Sequence, residues 1–160
     1  MDVKVALVKA QRGYWLDRRI AEMRGGQEFS HAALVVTRTD QEPMWLDVHW
    51  RWFISDLRNI PARNYAWEYR LFPLRDMNIV RTTKVIRWLS AQEAGWTRYD
   101  VIGALCLYLG ISGPSSPRSF TCFEFVTRAL LAAGYDLDFD PETALASDLL
   151  SSGVLLPAIG

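Results

Sequence analysis

Ser119-Phe120-Thr121-Cys122-Phe123-Glu124-Phe125-Val126 decides how the rest of this chain is read, because it sets a thiol at the first turn of a helix. Thr121 followed by Glu124 predicts a capping box, in which the hydroxyl accepts the third helical N–H and the carboxylate reaches back to the cap's own N–H. Cys122 is then the first helical residue. Unsatisfied N–H groups and the positive end of the helix dipole favour an anion there, so the position suits a thiolate. Phe125, Val126, Ala129, Leu130 and Ala133 supply an inner stripe, Thr127 and Arg128 mark the outer face, and Gly134 stops the helix. The plain alternative is a structural cysteine buried among aromatics. What decides between the two is the company the rest of the chain can bring to Cys122.

A chain of 160 residues suits a single domain spanning 1–160, large enough to bury about two thirds of its unfolded surface without disulfides or metals. Eighteen basic residues balance eighteen acidic ones, which argues against a nucleic-acid footprint or attraction to an acidic membrane. Seven Trp is a high count, and Trp favours wet interfaces and ligand surfaces, so a groove or partner surface is suggested. The opening Met1-Asp2-Val3-Lys4 enters a strand pattern with no signal-peptide character, and the longest apolar run, from Val101 to Ile111, is too short to span a bilayer. A cytoplasmic protein with no integral membrane segment is expected. Cys106 and Cys122 are too few for a disulfide framework and match no zinc spacing; Cys106, in an apolar helix, reads as a small core residue.

Taken in order, Val3 to Lys9 alternates as a strand, and Tyr14 to Met23 has helical spacing closed by Gly25-Gly26. Phe29 to Val36 reads as a buried strand, Asp40 to Pro43 as a turn, and Met44 to Trp50 as its antiparallel partner. His31, Ala33 and Val35 share one face of the first of these strands; Trp45, Asp47 and His49 share one face of the second. A turn centred near Asp40 or Gln41 brings His31 close to His49 and Trp50, with Asp47 one step along. Either Asp47 or His49 could then accept a hydrogen bond from the His31 ring.

Trp52 to Ile60 reads as a short helix or loop, Ala66 to Phe72 as a strand, and Asn78 as the cap of a helix ending near Gly95. Tyr99-Asp100 opens an all-apolar helix from Val101 to Leu109, which predicts a central buried element. Asp140-Pro141-Glu142 begins a last helix to about Leu150. One α+β domain accounts for the pattern.

A cysteine nucleophile needs a base within hydrogen-bond reach, and the base needs an orienting group. Cys122, His31 and Asp47 make such a set. The Cys122 backbone N–H would face a developing oxyanion, with the Tyr99 hydroxyl as a second donor. The plainer reading of His31 is a half-buried strand histidine bonded to a carbonyl, but a carboxylate buried at Asp47 without a partner would be costly.

Phe29-Ser30-His31 opening an apolar strand, Trp45-Leu46-Asp47 on the next, Tyr99-Asp100 before an apolar helix, and Thr121-Cys122-Phe123-Glu124-Phe125-Val126 together resemble the circularly permuted papain-like group, most nearly the YiiX-like branch of the NlpC-type cysteine peptidases and amidases. The resemblance runs from about Val5 to Leu150. It implies an antiparallel sheet packed against helices, with Cys122 as nucleophile, His31 as base and Asp47 as third member. Two departures stand out: Phe123 replaces the serine after the cysteine, and Asp47 replaces the usual glutamate. The same segment is similar to the Asn-Cys-Glu-His-Phe-Val of the lecithin:retinol acyltransferase relatives, which carry a second histidine where this chain has Asp47.

The expected activity is therefore amide hydrolysis on a peptide-like substrate, cell-wall peptide among the candidates, with no cofactor. The alternatives are a thiol-dependent lipid acyltransferase or hydrolase, and a catalytically inactive papain-like binding module. Asp136, Asp138 and Asp140 alternate like a calcium loop but lack its glycine and glutamate, and His31, Asp47, His49 and Cys122 lack the short spacing of zinc motifs, so no metal is expected.

Overall fold

The first strand carries apolar residues on both faces: Val3, Val5 and Leu7 point one way and Ala6 and Val8 the other, all fully buried. A strand of that kind belongs inside a sheet covered on both sides. β1 (Asp2–Lys9) pairs with β2 (Phe29–Thr37) and with β5 (Tyr69–Pro73), and β3 (Met44–Arg51) and β4 (Ile54–Pro61) complete a sheet in the order β4-β3-β2-β1-β5. Every pairing in it is antiparallel. The computed structural model describes residues 1–159 apart from 12–14, 27, 52–53, 112, 114–115 and 117, and the side chains of 15–17, 24–26, 49–51 and 54–57 lie outside that description.

The helices are α1 (Trp15–Gly26), α2 (Ile79–Ala94), α3 (Val101–Leu109), α4 (Cys122–Ala132) and α5 (Ala146–Ser151). Between them, β6 (Arg98–Tyr99) and β7 (Ser119–Phe120) form a short parallel pair. α4 is the central helix. It packs on β2 and β3 and against α2, and Phe125, Val126, Ala129 and Leu130 are all fully buried. With Leu7, Leu34, Val48, Val85 and Leu149 they form the larger core, on one side of the sheet. On alternate strand positions Ala6, Val8, Ala33, Val35 and Trp45 form a second cluster with Ala62, covered by Tyr65, Tyr69 and Leu71. The α+β architecture with an antiparallel sheet is thus as the sequence implies.

Five local expectations are corrected. Residues 54–61 form a strand rather than a helix or loop. Ile54, Leu57 and Ile60 recur at a spacing that suggests a helical turn, but the open edge of β3 supplies eight cross-strand partners, from Met44↔Pro61 to Arg51↔Ile54. Tertiary pairing outweighs local spacing here. α3 lies at the surface: none of its residues is buried, and Ile102, Leu105 and Leu109 are 61%, 56% and 57% exposed. An all-apolar helix is ordinarily interior, but here α4 already occupies that place. Thr127, assigned to the outer face of α4, is fully buried and donates its hydroxyl to the Phe123 carbonyl at 2.8 Å. The last helix is divided into a 3₁₀ turn at Pro141–Thr143, capped by Asp140, and α5 beginning at Ala146. β5 also starts later than expected, at Tyr69.

Candidate active site

The cysteine is placed by its cap and by the strand before it. Arg98 and Asp100 donate their N–H groups to the carbonyls of Arg118 and Phe120, both at 2.9 Å, so β6 fixes the approach to α4. Thr121 Oγ1 then accepts the Glu124 N–H at 3.2 Å, the first half of the expected capping box. The Glu124 carboxylate accepts a hydrogen bond from Arg128 Nε at 2.8 Å. Burial pushes the Glu124 carboxyl upward, and the Arg128 bond works against that rise. Cys122 follows the cap as the first helical residue and is 4% exposed.

A bulge aims the histidine. Val8 pairs with His31 and Lys9 with Phe29, which leaves Ser30 as an extra residue. An extra residue reverses the side-chain parity beyond it. Phe29 consequently joins the larger core against Phe72, while His31 stays on the face of Ala33 and Val35. The β2–β3 register, Leu34↔Leu46, Val35↔Trp45 and Val36↔Met44, centres the turn on Asp40, whose φ is +60°. Carried along both strands, that register sets Asp47 diagonally across from His31, within reach of a ring and a carboxylate. The contact is made: His31 Nε2 and Asp47 Oδ2 lie 2.6 Å apart.

Two residues that the sequence reading passed over complete the cluster. Arg58 stands directly opposite Asp47 in the β3–β4 ladder and grips its carboxylate with both arms, Nε to Oδ1 at 2.9 Å and Nη2 to Oδ2 at 2.5 Å. Tyr65, just past the 3₁₀ turn Ala62–Asn64, lies under the Arg58 guanidinium, which sits 5.1 Å from the ring centroid. Its other face stacks on Trp45 at 3.7 Å between centroids. The Tyr65 hydroxyl is buried and has no hydrogen-bond partner among the described residues. Opposite charges one strand apart at Asp47 and Arg58 are the signal that would have found Arg58, once residues 54–61 were read as a strand.

These contacts set the charges. Burial alone would drive the His31 imidazolium to lose its proton, but the charge of Cys122, the Asp47 hydrogen bond, a hydrogen bond with Cys122 and the Asp47 charge outweigh it, raising its pKa to about 10. Burial would likewise neutralise Asp47, which is 0% exposed. Hydrogen bonds and charge from His31 first and Arg58 second prevail and hold it down at about 2. The result is an imidazole held in its protonated form between the Cys122 sulfur and a carboxylate. Burial and the Asp47 charge push the Tyr65 phenol up, so it stays a neutral hydroxyl.

Cys122, His31 and Asp47 are therefore brought together. Tyr99, in β6, is half-buried and paired with Phe120 two residues before Cys122, and its strand packs against β3 and β4. The His49 side chain lies outside the described residues; of the two acceptors the sequence offers for His31, Asp47 makes the contact at 2.6 Å. An α+β protein with a cysteine at a helix N-terminus and a histidine–aspartate pair on its sheet is the class that fold and cluster define. The chain matches no protein-family model and no curated protein.

Proposed function

We propose that the chain is a cysteine hydrolase of the circularly permuted papain-like, NlpC-type group, cleaving an amide bond in a peptide-like substrate. The observation that carries this reading is a single imidazole bonded at 2.6 Å through Nε2 to a buried carboxylate and influenced, by charge and hydrogen bonding, by the Cys122 sulfur. In the reaction the Cys122 thiolate adds to the substrate carbonyl, forming a C–S bond. The oxyanion faces the Cys122 N–H at the start of α4, with the Tyr99 hydroxyl as the second donor. The His31 imidazolium gives its proton to the departing nitrogen as the C–N bond breaks, leaving an acyl-enzyme. A water molecule, deprotonated by His31, then cleaves the thioester to a carboxylic acid and restores the thiol. Asp47 holds the ring orientation throughout.

The surface of α3 supports a second reading. Its exposed Ile102, Leu105 and Leu109, continued by Ile111, form an apolar face of the kind a lipid substrate would meet, which favours acyl transfer or hydrolysis of a lipid ester. Intact-mass measurement separates the two. Peptide-amide hydrolysis predicts an acyl adduct on Cys122 from a peptide substrate and none in Cys122→Ser; an adduct from a phospholipid ester but not from peptides would transfer the function to lipids. A protein acylated by neither is the inactive binding module.

A further inference from the structure

The contact that the proposed chemistry leaves unused is the two-armed grip of Arg58 on Asp47. We propose that Arg58 is a positioning residue of this site: by sharing the Asp47 carboxylate with His31, it weakens the hold of that carboxylate on the imidazolium and so allows the ring to release its proton to the leaving group. The inference rests on the acyl-transfer reading above and assigns Arg58 a part in it.

The geometry supports this at three points. Asp47 Oδ2 serves two cations at once, His31 Nε2 at 2.6 Å and Arg58 Nη2 at 2.5 Å, so neither has the whole of its charge. The Arg58 Nε bond to Oδ1 fixes the plane of the carboxylate, and with it the direction from which Oδ2 meets the ring. Arg58 is itself held in place, its guanidinium against Tyr65 and Tyr65 against Trp45, which is fully buried. A carboxylate with His31 as its single counter-ion would keep the proton on the ring, because losing it would leave an uncompensated anion in the interior. With Arg58 in place the carboxylate remains paired when the imidazole is neutral. Among the described residues, the charged and titratable groups acting on the ring are Asp47 from β3 and Cys122 from α4, with Arg58 from β4 and Tyr65 beyond the 3₁₀ turn acting on Asp47.

The test uses the state in which His31 must give and take protons while the sulfur carries no charge. Treating the protein with iodoacetamide caps Cys122 and mimics the neutral sulfur of the acyl-enzyme. The two histidines are then titrated by NMR, with His49→Gln assigning the His31 signal. In Arg58→Gln the His31 titration is expected to move upward by on the order of one pH unit, while the initial alkylation rate of Cys122 near neutral pH stays within about twofold of the unsubstituted protein. A merely structural loss would slow alkylation and scatter the titration. An unmoved or lowered titration overturns the role of Arg58 while leaving the cysteine chemistry standing. Should Arg58→Gln not fold, Arg58→Met decides: it keeps an apolar stem against Tyr65 but removes the charge, and an upward shift supports the proposal while no shift overturns it. A protein whose Cys122 alkylates no faster than Cys106 before any substitution overturns the acyl-transfer reading, and this inference with it.

Discussion

Asp47 has no surface open to solvent and yet is held charged, so each neighbour that touches it carries a share of its stability. Breaking a buried ion pair on one side costs about 3–5 kcal/mol; Arg58 retains some exposure, so Asp47→Ala is expected near the lower end, about 3 kcal/mol by urea denaturation. The pH dependence follows with definite sign. His31 is raised from its usual 6.5 to about 10, so its contribution is complete below pH 6.5 and disappears as pH rises through 10. Asp47 is lowered from 3.8 to about 2, so its contribution is complete above pH 3.8 and disappears as pH falls through 2. Denaturation midpoints across these two windows should fall toward both extremes, and in Cys122→Ser, where the sulfur charge is gone, the alkaline decline should begin at lower pH. Tyr65 acts through its ring, since its hydroxyl is unpaired among the described residues. Tyr65→Phe should therefore be as stable as the original or more so, whereas Tyr65→Leu, which loses both stacking contacts, should lose about 1–2 kcal/mol. Destabilisation of Tyr65→Phe by more than that would show that the hydroxyl has a partner.

Among the elements, α4 and α3 behave oppositely although both are strongly apolar. Phe125 in α4 is fully buried, and its replacement by Ala should cost about 3–5 kcal/mol. Removing the Thr121 cap should cost about 1 kcal/mol. Leu105 in α3 is 56% exposed, so Leu105→Gln should change stability by no more than about 0.5 kcal/mol, and a loss of several would place α3 back in the interior. The same contrast shows what could be read in advance. The cap, the stripe and the stop of α4 are all local, and residues Thr121 to Gly134 announce them. Alternation on β2 and β3, with a turn near Asp40, puts Asp47 and His49 both within reach of His31, because parity admits few registers, but it does not choose between them. The burial of α3 was misjudged because apolar composition says that a helix prefers the interior, and not whether another helix has already filled it. β4 was missed for a related reason: Ile54, Leu57 and Ile60 are ambiguous until the edge of β3 is there to pair with them. Arg58 and Tyr65 were lost with it. The Ser30 bulge, which turns Phe29 and His31 to opposite faces, leaves no trace in composition at all.

Over the whole molecule, a sheet covered on both faces gives a rigid frame in which residues far apart in the chain converge at one end of β2. The tryptophans divide along the same lines. Trp45 is sealed beneath the site, while Trp96 is 83% exposed, so the wet surface expected of the tryptophans does not include Trp45. Among the described residues no helix is long and apolar enough to cross a membrane. Whether the fold makes a reactive thiol of Cys122 can be read within the chain itself, because its two cysteines supply an internal control. Under limiting iodoacetamide near neutral pH, mass spectrometry of the two cysteine peptides should find Cys122 alkylated at least tenfold faster than the more exposed Cys106, with the advantage abolished in His31→Ala. Equal and slow alkylation of both thiols, or a fast Cys122 indifferent to the loss of His31, would contradict the proposed chemistry.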